Sequence, residues 1–356
     1  MAFQIVTGIK EVEEAHRFDT RALEAWLRKH GDEMGALAAP REVRQFRGGQ
    51  SNPTYHLTDG TSQWVLRRKP PGQLVASAHA VDREFRVISA LNRTDFPVPR
   101  ARVLCTDESV IGTMFYVMDL VPGRVLADQQ LPEQTPAERA AIYDSKIATL
   151  AKLHGIDHEA IGLGDYGKPG SYYARQIRVW TKQYQSATGL EPIPAMERLI
   201  EWLPENIPAD AATSIVHGHY ARNNMPVHPT EPRIAAILDW ELSTIGHPIA
   251  DLTYHLSQRR SPNSAFLTLS DDDLRERGIP TEDEYVARYC ELTGRSGIDH
   301  LDFYLAFHLF RSAGIMRGIA GRAIAGTAAG EGAAQVGAMA APLAESALAL
   351  ARGLGA

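Results

Sequence analysis

The feature that most restricts the fold of this chain is a change of hydrophobic period near residue 122. Before it, residues 43–46, 54–58 and 64–68 form short β-prone runs separated by Gly48-Gly49 and Asp59-Gly60, and Asp-Gly between such runs is a strong hairpin signal. The run FYVMDL at 115–120 reads as a buried strand, and Val81, Phe85, Ile88 and Leu91 recur at helical spacing ahead of it. Val121-Pro122-Gly123 then breaks the chain as a hinge. Beyond the hinge, helical patterns dominate at 137–154, 174–185 and 194–203 and in several segments from 283 to 354. Residues 214–239 are the exception, with β-type runs at 215–216 and 234–238 flanking a polar loop. The expected fold is α+β. A small antiparallel sheet with one helix occupies 1–120, preceded by a prefix helix that Asp19 caps and Leu23, Trp26 and Leu27 make amphipathic, and a larger helical part occupies 121–356.

With 356 residues, 44% of them hydrophobic and 22% charged, the chain can bury a substantial core. A formal charge of −6 without a long Lys/Arg run offers no electrostatic footprint for a nucleic acid or an anionic membrane. Cys105 and Cys290 are isolated thiols, which in a chain this long points to a reducing compartment rather than a disulfide framework. Acidic residues near the N-terminus argue against an export signal. Charges at Arg317, Arg322, Glu331 and Glu345 interrupt the Ala/Gly-rich tail, leaving no stretch that would span a bilayer. The expected setting is the cytoplasm. There is no internal repeat, and the tail composition suits closely packed small-residue helices.

Chemistry is expected in three places. In Gly48-Gly49-Gln50-Ser51-Asn52, a turn between two strands, missing Cβ atoms let backbone N–H groups approach phosphate oxygens and Ser51 adds a hydroxyl; a plain hairpin turn has the same sequence. Neither a dinucleotide fingerprint nor GxxxxGK[ST] occurs. Next, Trp64-Val65-Leu66-Arg67 is a strand ending in a cation and Glu84 lies on the following helix. A helix carboxylate can hold such a cation against the α/β-phosphates, as protein kinases do, although Lys69 projects from the same strand face and is a rival to Arg67.

The third place is His217-Gly218-His219-Tyr220-Ala221-Arg222-Asn223-Asn224, followed by Ile237-Leu238-Asp239-Trp240-Glu241. It resembles the catalytic loop and metal segment of the aminoglycoside/choline kinase superfamily, in which His-Gly-Asp, four residues and Asn precede an apolar run ending in Asp. FRGGQSNPTYHL, VLRRKPPG, SAHAVDREFRVI, FYVMDLVPGR, DYGKPGSYYARQI and VHPTEPRIAAILDWELSTIGHPIADLTYH extend the resemblance over nearly the whole chain, toward a bacterial branch similar to the kinase domain of acyl-CoA dehydrogenase family members ten and eleven. The resemblance implies a protein-kinase-like bilobal fold, ATP and Mg²⁺ as cofactors, and a hydroxylated acyl-CoA or hydroxy acid as phosphate acceptor. It assigns the metal to Asn224 and Asp239, oxygen ligands that suit a hard cation. It assigns adenine to the backbone of Met118, Asp119, Leu120 and Val121, and the phosphates to Gly48, Gly49, Ser51, Asn52 and Arg67 held by Glu84. His217 and Asp251 are expected to brace the loop. Arg175, in Tyr172-Tyr173-Ala174-Arg175-Gln176, and Glu241 are candidates on the acceptor side, each with a solvated-surface reading beside it.

The family pattern breaks at one position: where it has the aspartate that accepts the proton of the acceptor hydroxyl, this chain has His219, and Ala221 and Asn223 also depart from the branch's usual loop. A neutral imidazole titrates near pH 6.5 and can serve as a base, while phosphoryl transfer depends chiefly on positioning and charge stabilisation. A slowed kinase, a non-catalytic nucleotide-binding pseudokinase and a sequence change from an active parent all fit. A fourth reading joins His217, His219 and His228 in a transition-metal cluster.

Overall fold

The computed structural model describes residues 8–31, 40–47, 52–70, 80–126, 128–168, 172–209, 212–324 and 333–356. The chain forms two compact units, one of Met1–Thr149, Asp157–Gly164 and Ala221–Ser243, the other of Leu150–Ile156, Asp165–Tyr220 and Thr244–Ala356. Among the described residues no helix is long and apolar enough to cross a membrane.

The first unit is built on an antiparallel sheet of β1 (Ile9–Lys10), β2 (Glu42–Phe46), β3 (Thr54–Thr58), β4 (Gln63–Arg68), β5 (Ala101–Cys105) and β6 (Phe115–Asp119), in the order β1-β2-β3-β4-β6-β5. Tyr55 pairs with Leu66 and Leu57 with Trp64. Because side chains alternate along a strand, these four share one face, and there they pack with Val117 against Leu23 and Leu27 of α1 (Thr20–Lys29). The Asp19 carboxylate accepts the Arg21 and Ala22 N–H groups at 2.8 and 3.1 Å, so the prefix helix begins where its cap predicts. The same alternation turns Val65, Arg67, Tyr116 and Met118 to the opposite face, where α2 (Val81–Leu91) carries Phe85 against Tyr116 at 5.9 Å and Glu84 against Arg67. β1 and β5 have no counterpart in the sequence pattern: β1 is two residues long, and β5 follows Pro97-Val98-Pro99 without alternation.

Helices dominate the rest. In chain order they are α3 (Pro136–His154), α4 (Tyr172–Gln185), α5 (Pro194–Glu205), α6 (Ile249–Ser257), α7 (Asp271–Glu276), α8 (Glu282–Thr293), α9 (Leu301–Ile324), α10 (Ala333–Ala338) and α11 (Ala340–Gly353). In the second unit α9 is the central element, packed by α4, α5, α6, α10 and α11. Its core is aromatic, with the Tyr173 ring 5.1 Å from Phe307 and 5.0 Å from Tyr304.

A two-stranded ribbon of β7 (Ser214–Val216) and β8 (Thr244–Gly246) leads into the His217 loop, pairing Ile215 with Ile245. The expected second strand at 234–238 is instead irregular, with one isolated bridge from Ile234 to Val227. Its backbone goes to other partners: Ile237 N–H to Pro97 O at 2.8 Å and Leu238 N–H to Asn224 O at 2.9 Å. The last residue of β8 is glycine, and a Cβ there would lie 2.4 Å from the buried Tyr172 ring. Gly246→Ala is expected to destabilise the protein by about 1–3 kcal/mol, seen as a lower urea midpoint at unchanged slope. An unchanged midpoint would mean that the ring yields.

Candidate functional site

Within the first unit the site is organised by one buried cation. β4 places Arg67 on the α2 face of the sheet, where it is 8% exposed, with Nε 3.0 Å from Glu84 Oε2, Nη2 2.7 Å from Asp239 Oδ1 and Nη2 3.6 Å from Glu241 Oε2. Lys69 lies past the end of β4, where its backbone N–H bonds Met114 O. Burial opposes the Arg67 charge, but Glu84 and Asp239 outweigh it and hold the guanidinium firmly protonated. Burial, opposed by Arg67 and reinforced by Asp239 and Glu241, pushes the Glu84 carboxyl up to about 7. Three carboxyls around one guanidinium leave surplus negative charge, which disfavours a third ionised carboxylate and favours a second cation.

The segment carrying Asp239 is fixed from both sides. The Trp240 N–H donates to Glu84 Oε1 at 3.1 Å, and its indole N–H donates to Ile237 O at 3.0 Å. The fully buried Trp240 ring meets Phe96 edge-on at 5.9 Å. Glu241 accepts the Asn52 side-chain N–H at 3.0 Å, so it stands with the Arg67 group. Asp239 has φ 67°, a left-handed conformation that Asp and Asn tolerate better than other L-residues and that recurs at functional positions. Asn224 is 5% exposed and its backbone carbonyl accepts Leu238 N–H, so the two expected metal residues lie on segments bonded to each other. A carboxylate and an amide oxygen make a hard-donor pair, which suits Mg²⁺ completed by phosphate and water. Here the Arg67 guanidinium stands where a cation would neutralise Asp239.

Just before Val121-Pro122-Gly123, Asp119 N–H bonds Arg100 O at 2.9 Å, Leu120 N–H bonds Gln63 O at 3.4 Å, and Arg102 grips the Asp119 carboxylate through two hydrogen bonds of 2.6 and 2.8 Å. Met118 is buried in β6. Gly48, Gly49 and Ser51 lie outside the described residues.

In the second unit, Asp251 of α6 organises the His217 loop. Wholly buried, it accepts His217 N–H at 2.6 Å and Gly218 N–H at 2.8 Å. His154 sits behind it, with Nε2 3.5 Å from the carboxylate and Nδ1 2.7 Å from Tyr289 Oη. The His217 ring accepts His219 N–H at 3.1 Å, and Gly218 turns the loop at φ 78°, where only glycine is unstrained. The His219 ring meets Tyr254 edge-on at 5.6 Å. Arg175 donates from Nη2 to Lys168 O at 2.6 Å. Among the described residues no three His, Cys, Asp or Glu side chains are grouped as a metal site, so His217, His219 and His228 do not assemble the transition-metal cluster considered from the sequence.

Arg311 was not anticipated. It is 4% exposed, donates from Nη2 to Gly218 O at 2.8 Å, and lies over the Trp180 and Tyr254 rings at 4.9 and 5.0 Å. Its signal was present in FYLAFHLFRSAG, a run too apolar to leave its arginine in water.

Residues 42–303 match the Phosphotransferase enzyme family. The chain is 41% identical to acyl-CoA dehydrogenase family member 11 of Homo sapiens over 349 residues, covering 97% of this chain and 45% of that protein. It is 43% identical to acyl-CoA dehydrogenase family member 10 of Mus musculus over 308 residues, covering 86% of this chain and 29% of that protein. The chain thus spans less than half the length of these relatives. Among crystal structures, a "putative aminoglycoside phosphotransferase" from Ralstonia eutropha shares 48% identity and a TM-score of 0.84, over 95% of this chain and 99% of that one. Choline kinase from Cryptosporidium parvum shares the fold at 13% identity, with a TM-score of 0.63 over 94% and 96% of the two chains. The α+β, kinase-like fold expected from the motifs is the one these neighbours have.

Proposed function

Because the chain belongs to the phosphotransferase enzyme family, we propose that it transfers the γ-phosphate of ATP to a hydroxyl group of a small molecule, a hydroxyacyl-CoA or a hydroxy acid. The observation that carries this reading is the Arg67 guanidinium set among Glu84, Asp239 and Glu241, with Asn224 on the adjoining segment. Glu84 holds Arg67 for the α- and β-phosphates, and Gly48, Gly49, Ser51 and Asn52 cover them. Adenine is bound along Met118, Asp119, Leu120 and Val121. With the Asp119 and Leu120 N–H groups already bonded, the donor on this stretch is Val121 N–H. Asn224 and Asp239 hold Mg²⁺, which when bound neutralises charge on the phosphates. His219, on the loop that Asp251, His217 and Arg311 brace, orients the acceptor hydroxyl and takes its proton on a ring nitrogen as the oxygen attacks the γ-phosphorus and ADP departs. Arg175 is the acceptor-side cation, and Glu241 lies at the phosphate end beside Asn52. In this division of labour residues 1–120 serve the nucleotide and 121–356 the metal, base and acceptor, in a cytoplasmic setting where ATP is available.

His219 favours a second reading, a module that binds nucleotide without turning it over. The two separate in one comparison. Purified protein with Mg²⁺ and ATP is expected to phosphorylate a hydroxyacyl-CoA or hydroxy acid slowly, and His219→Asp is expected to raise that rate about tenfold or more. Nucleotide binding with no phosphorylated product from either protein, across a broad acceptor panel, would favour the binding module.

A further inference from the structure

α9 carries a second buried arginine beyond Arg311. Arg317, six residues further and about 9 Å along the helix, is 8% exposed, donates from Nη2 to Leu190 O at 2.8 Å and lies over the Tyr184 ring at 5.3 Å. Its Nε is buried without a hydrogen-bond partner, and among the described residues its guanidinium bonds a carbonyl and no carboxylate. A buried guanidinium without a counter-charge is costly, and this one lines a cavity.

That cavity has a volume of about 480 Å³ and is formed by Leu190 and Ile193 on one side and by Ala320, Ile324 and Ala341 on the other. The size is in the range of small-molecule sites, and about three times that of an engineered apolar cavity that holds benzene. Small side chains keep it open, and Ile324, 60% exposed, carries its apolar lining to the surface. An apolar hollow lined by one cation that has no ion pair among the described residues is complementary to a molecule with an apolar chain and one anionic end. We infer that this cavity is a binding site for a straight acyl chain bearing a carboxylate, with Arg317 at the carboxylate. The phosphate-transfer residues take no part in it, so the site stands or falls separately from the phosphotransferase reading.

Calorimetric titration of the full chain, without nucleotide, with butyrate, octanoate, decanoate and octanamide tests the inference. Affinity is expected to tighten about two- to fourfold per added methylene, and octanoate to bind at least fivefold tighter than octanamide. Arg317→Gln should abolish the preference for the acid while keeping the dependence on chain length, and Arg317→Lys should retain the preference. Ala341→Leu, at an exposed position on the rim, should weaken every chain. Should Arg317→Gln fail to fold, the acid–amide comparison on the unaltered protein and the Ala341→Leu titration still decide. Equal binding of octanoate and octanamide, no binding of decanoate at millimolar concentration, or an Ala341→Leu protein that binds as before would each overturn the site.

Discussion

Asp239→Asn is expected to remove the gain in ATP affinity that Mg²⁺ provides and to lower any phosphate transfer about a thousandfold, while the protein stays folded. Asparagine keeps the side-chain shape and tolerates the left-handed backbone at φ 67°. It does not supply the charge that would hold a divalent ion. Stability should change by no more than about 1 kcal/mol, because Asp239 is partly exposed and Arg67 keeps Glu84 at 3.0 Å. Alanine is a poorer choice, since it adds about 1–2 kcal/mol of backbone strain and confuses the two effects. Titration of ATP with and without Mg²⁺, beside a urea unfolding curve, separates charge from fold. A variant whose nucleotide affinity still responds fully to Mg²⁺ would remove Asp239 from the metal site.

The largest loss of stability is expected at Asp251. Asp251→Ala strands the N–H groups of His217 and Gly218, which the wholly buried carboxylate accepts at 2.6 and 2.8 Å. Unsatisfied buried donors cost about 1–3 kcal/mol each, so the variant should lose about 3–5 kcal/mol or fail to accumulate as soluble protein. Asp251→Asn, which keeps one acceptor oxygen, should fall between. Equal urea midpoints for Asp251→Ala and the unaltered chain would show that the loop finds other support.

Short β-prone runs made β3 and β4 legible and a continuous apolar run made β6 legible, because all three bury one face against α1, and β4 and β6 send the other toward α2. Side-chain alternation along β4 also placed Arg67 opposite Glu84, a consequence of period two on the strand and the first turn of the helix that follows. The elements that escaped are those held by partners far along the chain. β8 is three residues long and exists through pairing with β7, whereas residues 234–238, richer in β-formers, give their backbone to Pro97 and Asn224 instead. Arg311 and His154 escaped for a related reason: Arg311 touches the His217 loop and His154 the Asp251 carboxylate that braces it, each from a helix remote in sequence, and no local pattern marks such a contact. The His219 departure was readable only against the family motif, and its neighbour Tyr254 only in three dimensions.

The first unit is assembled from three stretches of chain, and its last, Ala221–Ser243, delivers Trp240 into contact with Phe96 and Glu84. During synthesis the sheet therefore leaves the ribosome about a hundred residues before the piece that closes it, a wait of roughly 5–20 seconds at ordinary elongation rates. Through that interval the Phe96 ring and the Arg67–Glu84 pair lack their final cover. Newborn chains of this protein carry a period of enforced incompleteness that no refolding experiment on the finished polypeptide reproduces.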